Sequence, residues 1–200
     1  MDWFKPLDKY CERITPEFWA EPINALSNLS FIVGAILVYC LGKRLNKRGV
    51  GFTSLVVVLL FIGVGSFLFH TFANRWSLFA DVIPIYIFQL CLIIVYGAAI
   101  ARQKNHPEII GSLLLLTAFI LLTVIFSQFP SELFNGSIIY FSAFISLFCI
   151  GIYHFKTYRE ERYTLTIASF LFAIALVFRT IDNEVCDTFP LGTHFLWHLI

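Results

Sequence analysis

Along this chain apolar residues come in long, nearly unbroken stretches, and polar residues are confined to the short segments between them. A bilayer core about 30 Å thick needs about 20 apolar residues of helix to cross it. Six stretches meet that requirement: residues 24–41, 51–71, 78–101, 109–126, 137–155 and 163–181. A seventh opens near Pro190 as PLGTHFLWHLI and reaches Ile200 too soon to cross, so it is expected to be a clipped helix. The pattern predicts an all-α membrane protein, a seven-transmembrane helix bundle with its last helix clipped. A polar N-terminal segment, residues 1–23, precedes a membrane domain of residues 24–200.

Composition points the same way. Hydrophobic residues make up 58% of the 200 residues and charged residues 14%, against roughly 45–50% and about 25% in ordinary globular proteins. A soluble fold of this size could not hide so much apolar surface, so the solvent is lipid. A net charge of +1 gives no case for nucleic acid as a partner, and no protein partner can be inferred. The start, MDWFKPLDKYCER, lacks the basic-then-apolar order of a cleavable signal, which leaves targeting to the first membrane helix. Five cysteines are too few for a disulfide scaffold. Cys40, Cys91 and Cys149 lie in apolar runs, where a thiol behaves as a small hydrophobe; Cys11 and Cys186 lie in polar segments and can be considered as a pair.

The loops predict an orientation. Lys43, Arg44, Lys47, Arg48, Arg102, Lys104, Lys156, Arg159 and Arg162 fall on one side of the expected bundle, nine of the fourteen Lys and Arg residues. Asp2, Asp8, Glu12, Glu17, Glu21, Glu132, Asp182, Glu184 and Asp187 fall on the other. The excess of positive charge makes the first side cytoplasmic and places the N-terminus outside or in a lumen.

The informative residues are those that are polar at membrane depth, where an ionised group costs roughly 2.5 kcal/mol or more. The second stretch ends GVGSFLFH, with Ser66 and His70 four apart on one helical face. The third opens WSLFADVIPIY and carries Asp81; the seventh carries His194 and His198, again four apart. Alternating helices bring all five to the outer side. Taken singly, each pair is as compatible with interhelical packing as with a site. Together, three of the five histidines and one of few intramembrane acids converge, and three imidazoles with an open fourth position make a catalytic zinc arrangement. His106 and His154 fall on the cytoplasmic side and are expected to be interface residues.

In order and spacing the chain resembles the alkaline ceramidases, and more widely the seven-helix membrane hydrolases related to adiponectin-type receptors. The matching pieces are Cys11–Glu12, AEPINALSNL from Ala20, SFLFH from Ser66, Asp81, IDNEVCD from Ile181 and HFLWH from His194. The resemblance implies zinc on His70, His194 and His198, with Ser66 and Asp81 completing a catalytic site. The chemistry it implies is hydrolysis of the ceramide amide by zinc-activated water, on the outer or lumenal side, giving a sphingoid base and a fatty acid. It also implies a Cys11–Cys186 disulfide and a calcium site on Asp8, Tyr10 (through its backbone), Glu12 and Glu21. Here Asp8 is one residue further from Cys11 than the family pattern, and Ile14 stands where an oxygen-bearing side chain is expected. Two alternatives stay open: hydrolysis of a lipid ester, and a receptor or scaffold in which zinc is structural.

Overall fold

Each of the apolar stretches is helical in the computed structural model, which describes residues 2–200. The first is broken in two. Helix α1 (Pro22–Ser27) opens on a proline, whose missing N–H costs nothing at a helix start, and α2 (Leu29–Arg44) follows beyond Asn28. Then come α3 (Val50–Phe72), α4 (Arg75–Gln103), α5 (Glu108–Phe126), α6 (Phe141–Thr157), α7 (Thr164–Ile181) and the short α8 (His194–Leu199). A 3₁₀ turn, Ser137–Tyr140, leads into α6, and another, Asp182–Glu184, leaves α7. Among the described residues, six helical segments are long and apolar enough to cross a membrane, and α8 adds a seventh helical segment of six residues.

The helix boundaries follow local chemistry. Helix α3 stops at Ala73, whose φ of +40° lies in the left-handed region. Helix α4 starts three residues earlier than its apolar stretch, at Arg75, because Asn74 and Ser77 form a capping box. The Ser77 N–H donates to Asn74 Oδ1 at 3.2 Å and the Asn74 N–H to Ser77 Oγ at 3.1 Å, satisfying two otherwise orphaned donors. Only Ala73 and Asn74 separate α3 from α4, so the two pack as an antiparallel pair along much of their length. A Cβ on Gly65 would collide with the main-chain carbonyl of Ala80, so α3 and α4 meet backbone to backbone at that level. Gly97 and Gly111 allow the same close approach of α4 to α5, the small-residue contact by which helices associate in lipid.

The bundle interior is built around Ile93, Phe119, Ala143 and Ile150. Its outside carries Val33, Ile36 and Leu37 on α2, Leu113, Leu114 and Leu121 on α5, and Phe170 on α7, all exposed. In water these surfaces would be a liability; in hydrocarbon they are the proper exterior, and the chain is a multi-pass membrane protein by its six apolar helices.

At one end of the bundle the N-terminal segment folds across the helix ends. A disulfide between Cys11 and Cys186, with Cα atoms 5.2 Å apart, ties it to the segment between α7 and α8. Buried Arg179 latches the loop before α6 to α7, donating to the Asn135 carbonyl at 2.8 Å and to Ser137 Oγ at 2.9 Å.

Candidate metal centre

The same end of the bundle holds the intramembrane histidines. His70 lies in the last turn of α3, and His194 and His198 occupy successive turns of α8. One ligand nitrogen from each imidazole lies within 4.8 Å of the other two, and all three rings are buried. Ring centroids are 5.1 Å apart for His70 and His194, 4.9 Å for His70 and His198, and 4.6 Å for His194 and His198.

Each ring is held from behind. Glu21, the residue preceding α1, places Oε2 at 2.6 Å from His70 Nδ1. An ionised carboxylate only accepts, so it keeps the proton on Nδ1 and leaves the lone pair of His70 at Nε2. Ser27 Oγ is 2.7 Å from His198 Nδ1 and donates its own proton to the Asn24 carbonyl at 2.8 Å. With that proton committed, Ser27 accepts from His198 Nδ1–H, and the His198 lone pair is likewise at Nε2. His194 is positioned through its backbone. Buried Asp182 accepts the N–H groups of Thr193 at 2.6 Å and His194 at 2.8 Å on Oδ1, and that of Cys11 at 3.0 Å on Oδ2. The ring of Tyr10 stacks on His194 at 3.6 Å between centroids.

Among the described residues, His70 Nε2 and His194 Nδ1 are buried without a hydrogen-bond partner. A buried polar atom left unpaired is costly, and a metal ion held among the three clustered imidazoles would satisfy such nitrogens. The donor set therefore fits a metal. Metal-bound histidines characteristically give their other ring N–H to a carboxylate, a carbonyl or a similar acceptor, and Glu21 and Ser27 supply those acceptors.

Ser66 and Asp81 are brought to the same place. Both are buried, and both line a cavity of about 370 Å³ together with His194 and His198. Ser66 is one turn before His70, and the close contact at Gly65 draws it towards the first turns of α4, where Asp81 sits. Most of the cavity wall is apolar, with Phe88, Leu92, Phe119 and Phe172 among its residues and Gln89 and Ser146 as polar members. That volume and lining suit the apolar part of a ligand.

The N-terminal acids are placed differently from the histidines. Asp8 is exposed. Glu12 is buried, and its two carboxylate oxygens accept the N–H groups of Ile23 at 2.6 Å and Asn24 at 2.8 Å, at the start of α1. Burial pushes the Glu12 carboxyl up from its ordinary value, against the pull of those two N–H groups. For Glu21 the balance is reversed. Burial acts to raise it, but the hydrogen bonds from His70 and Arg13 hold it below the ordinary carboxylate value. The Tyr10 carbonyl accepts the Arg13 N–H at 3.1 Å. Glu21 and Tyr10 thus touch the histidine site directly, through His70 and His194. Ser27, Arg13 and Asp182 carry no sequence signal of such a role; each acts across a contact that only the folded chain creates.

No curated protein and no solved structure matches the chain significantly. The profile of the ceramidase family matches residues 8–200, which takes in most of the N-terminal segment, every long apolar helix and both histidine-bearing elements. The chain thus belongs to the ceramidase family, whose members are hydrolases of the ceramide amide bond.

Proposed function

We propose that the chain is a zinc-dependent ceramide amide hydrolase that takes its substrate from within the bilayer. The observation that carries the proposal is the prepared state of the histidines. Glu21 and Ser27 engage Nδ1 of His70 and His198 and leave Nε2 of each as the free nitrogen, in a cluster with buried His194 beside an apolar cavity. Three imidazole donors suit zinc. The metal, when bound, supplies an activated water and polarises the amide carbonyl.

This chain's residues divide the remaining work. Asp81, the acid on the cavity wall, takes the proton of the attacking water on a carboxylate oxygen and returns it to the leaving nitrogen. Ser66 donates its hydroxyl to the carbonyl oxygen as negative charge gathers there. Glu21 and Ser27 hold two imidazoles in one tautomer, and Asp182 holds the backbone from which His194 projects. The apolar wall accepts hydrocarbon from the substrate and excludes water from the reacting amide. The positive-inside pattern supports an orientation with this end of the bundle outside or in a lumen, where an oxidising medium would maintain Cys11–Cys186.

The test is to purify the protein in detergent, measure bound zinc, and incubate it with ceramides and matched esters, with and without chelator. Stoichiometric zinc and chelator-sensitive release of fatty acid from ceramide are expected. Preference for the ester panel would move the bond cleaved while keeping the site, and ceramide hydrolysis by metal-free protein would overturn the proposal.

A further inference from the structure

Arg13 is 6% exposed, yet its planar guanidinium carries a full positive charge. Each of its three guanidinium nitrogens donates. Nε donates to Glu21 Oε1 at 2.5 Å, Nη1 to the carbonyls of Thr15 at 3.3 Å and Glu17 at 3.2 Å, and Nη2 to the carbonyl of His70 at 3.1 Å. One carboxylate and three main-chain carbonyls therefore converge on a single positive group. That is the oxygen set a hard divalent cation takes from a protein, and here the chain's own side chain fills it.

The neighbouring oxygens are also engaged. Both oxygens of Glu12 accept from the start of α1, Glu21 Oε2 faces His70 and Asn24, and the Tyr10 carbonyl accepts from the Arg13 backbone. The same guanidinium reaches the metal centre by two routes. Through Glu21 it fixes the carboxylate that orients the His70 ring, and through the His70 carbonyl it grips the last turn of α3. Its planar fork matters, because an ammonium is a point charge that cannot hold four acceptors in one plane.

We infer that Arg13 is a positioning residue, the built-in cation of the N-terminal cluster in place of calcium, and that it sets the geometry of the metal centre through Glu21. The inference rests on the reading of His70 as a metal ligand.

The experiment uses the full chain in detergent, stripped of metal and titrated with zinc against a competing chelator dye. Thermal unfolding is followed in parallel, with and without millimolar calcium. Wild type is expected to show the same zinc affinity and the same unfolding midpoint in both conditions. Arg13→Ala should bind zinc about tenfold more weakly or worse, the range for losing a partner behind a metal ligand. Added ethylguanidinium should restore part of that loss and ethylammonium should not. If Arg13→Ala does not fold, Arg13→Lys decides: it keeps the charge without the fork and should also bind zinc more weakly than wild type.

A calcium-dependent rise in the wild-type midpoint would mean that the native state binds the ion, and would overturn the inference. Wild-type zinc affinity in Arg13→Lys would overturn it too. Neither readout uses ceramide. Zinc binding with these Arg13 effects but no ceramide turnover would therefore sink the ceramidase reading and support Arg13's role. A wild-type protein that takes up no zinc would sink the metal centre and this inference with it.

Discussion

Glu21 Oε2 lies 2.6 Å from His70 Nδ1, although the two residues are 49 positions apart. The contact joins the turn before α1 to the last turn of α3, and it decides which nitrogen of His70 is free. A metal site assembled from separate helices needs such a contact, since an imidazole left to rotate offers either nitrogen.

Glu21→Gln tests the contact with the smallest change of shape. The amide can no longer enforce the proton on Nδ1, and it leaves Arg13 without its carboxylate. Metal affinity should fall about 10- to 100-fold, measured by competition with a chelator dye. An unchanged affinity would show that His70 is oriented by something else.

Ser27→Ala removes the acceptor behind His198 without disturbing a charge. A smaller loss of metal affinity than in Glu21→Gln is expected, because a neutral hydrogen bond is weaker than one to an ionised group. The same titration on both variants gives the ordering, and the reverse order would refute it.

His194→Ala and Ser66→Ala should separate metal binding from turnover. The first removes a ligand and should abolish zinc and ceramide hydrolysis together. The second should keep stoichiometric zinc and lose about 10²–10³ in rate, the usual effect of deleting one donor to a developing oxyanion. Full rate in Ser66→Ala would remove that residue from the chemistry.

Gly65→Ala tests the helix contact that brings Ser66 towards Asp81. Its Cβ collides with the Ala80 carbonyl, so α3 and α4 must separate. A loss of about 1–3 kcal/mol is expected for overpacking, read from unfolding in detergent. Gly34→Ala is the control, because a Cβ there meets nothing within 4 Å. Equal stability of the two variants would be the contrary result.

Reducing Cys11–Cys186 opens a covalent closure across 175 residues. A loss of about 2–4 kcal/mol is typical for a native disulfide. Since Cys11 and His194 share Asp182 as acceptor, zinc should also be released more readily. Zinc dissociation rates in oxidised and reduced protein check this, and identical rates would confine the disulfide to global stability.

The long helices were legible in the sequence because the bilayer sets a length that a run of apolar residues must meet. Their boundaries differ from the apolar runs by a few residues, as at Arg75, where a capping box extends α4 beyond its apolar stretch. The pairing of Ser66 with His70 and of His194 with His198 was legible for a similar reason: a separation of four places two side chains on one face of any helix. The convergence of the three histidines followed from alternating helix direction, and the structure brings them together.

What stands behind the histidines depends on tertiary structure alone. Arg13 meets the His70 carbonyl 57 positions away, Ser27 meets His198 across 171, and Cys11 meets Asp182 across 171. No periodicity marks such partners, because hydrogen bonds between segments depend on how helix ends assemble, and an acid or serine in a loop looks the same whether it is solvated or buried. The sequence by itself determined the membrane class, the helices and the three-histidine set, all of which rest on local spacing and on solvent. The tertiary structure decided which nitrogen each of His70 and His198 presents and where Glu12, Glu21 and Arg13 spend their charges, since these depend on distances that exist only once the N-terminal segment has folded over the bundle.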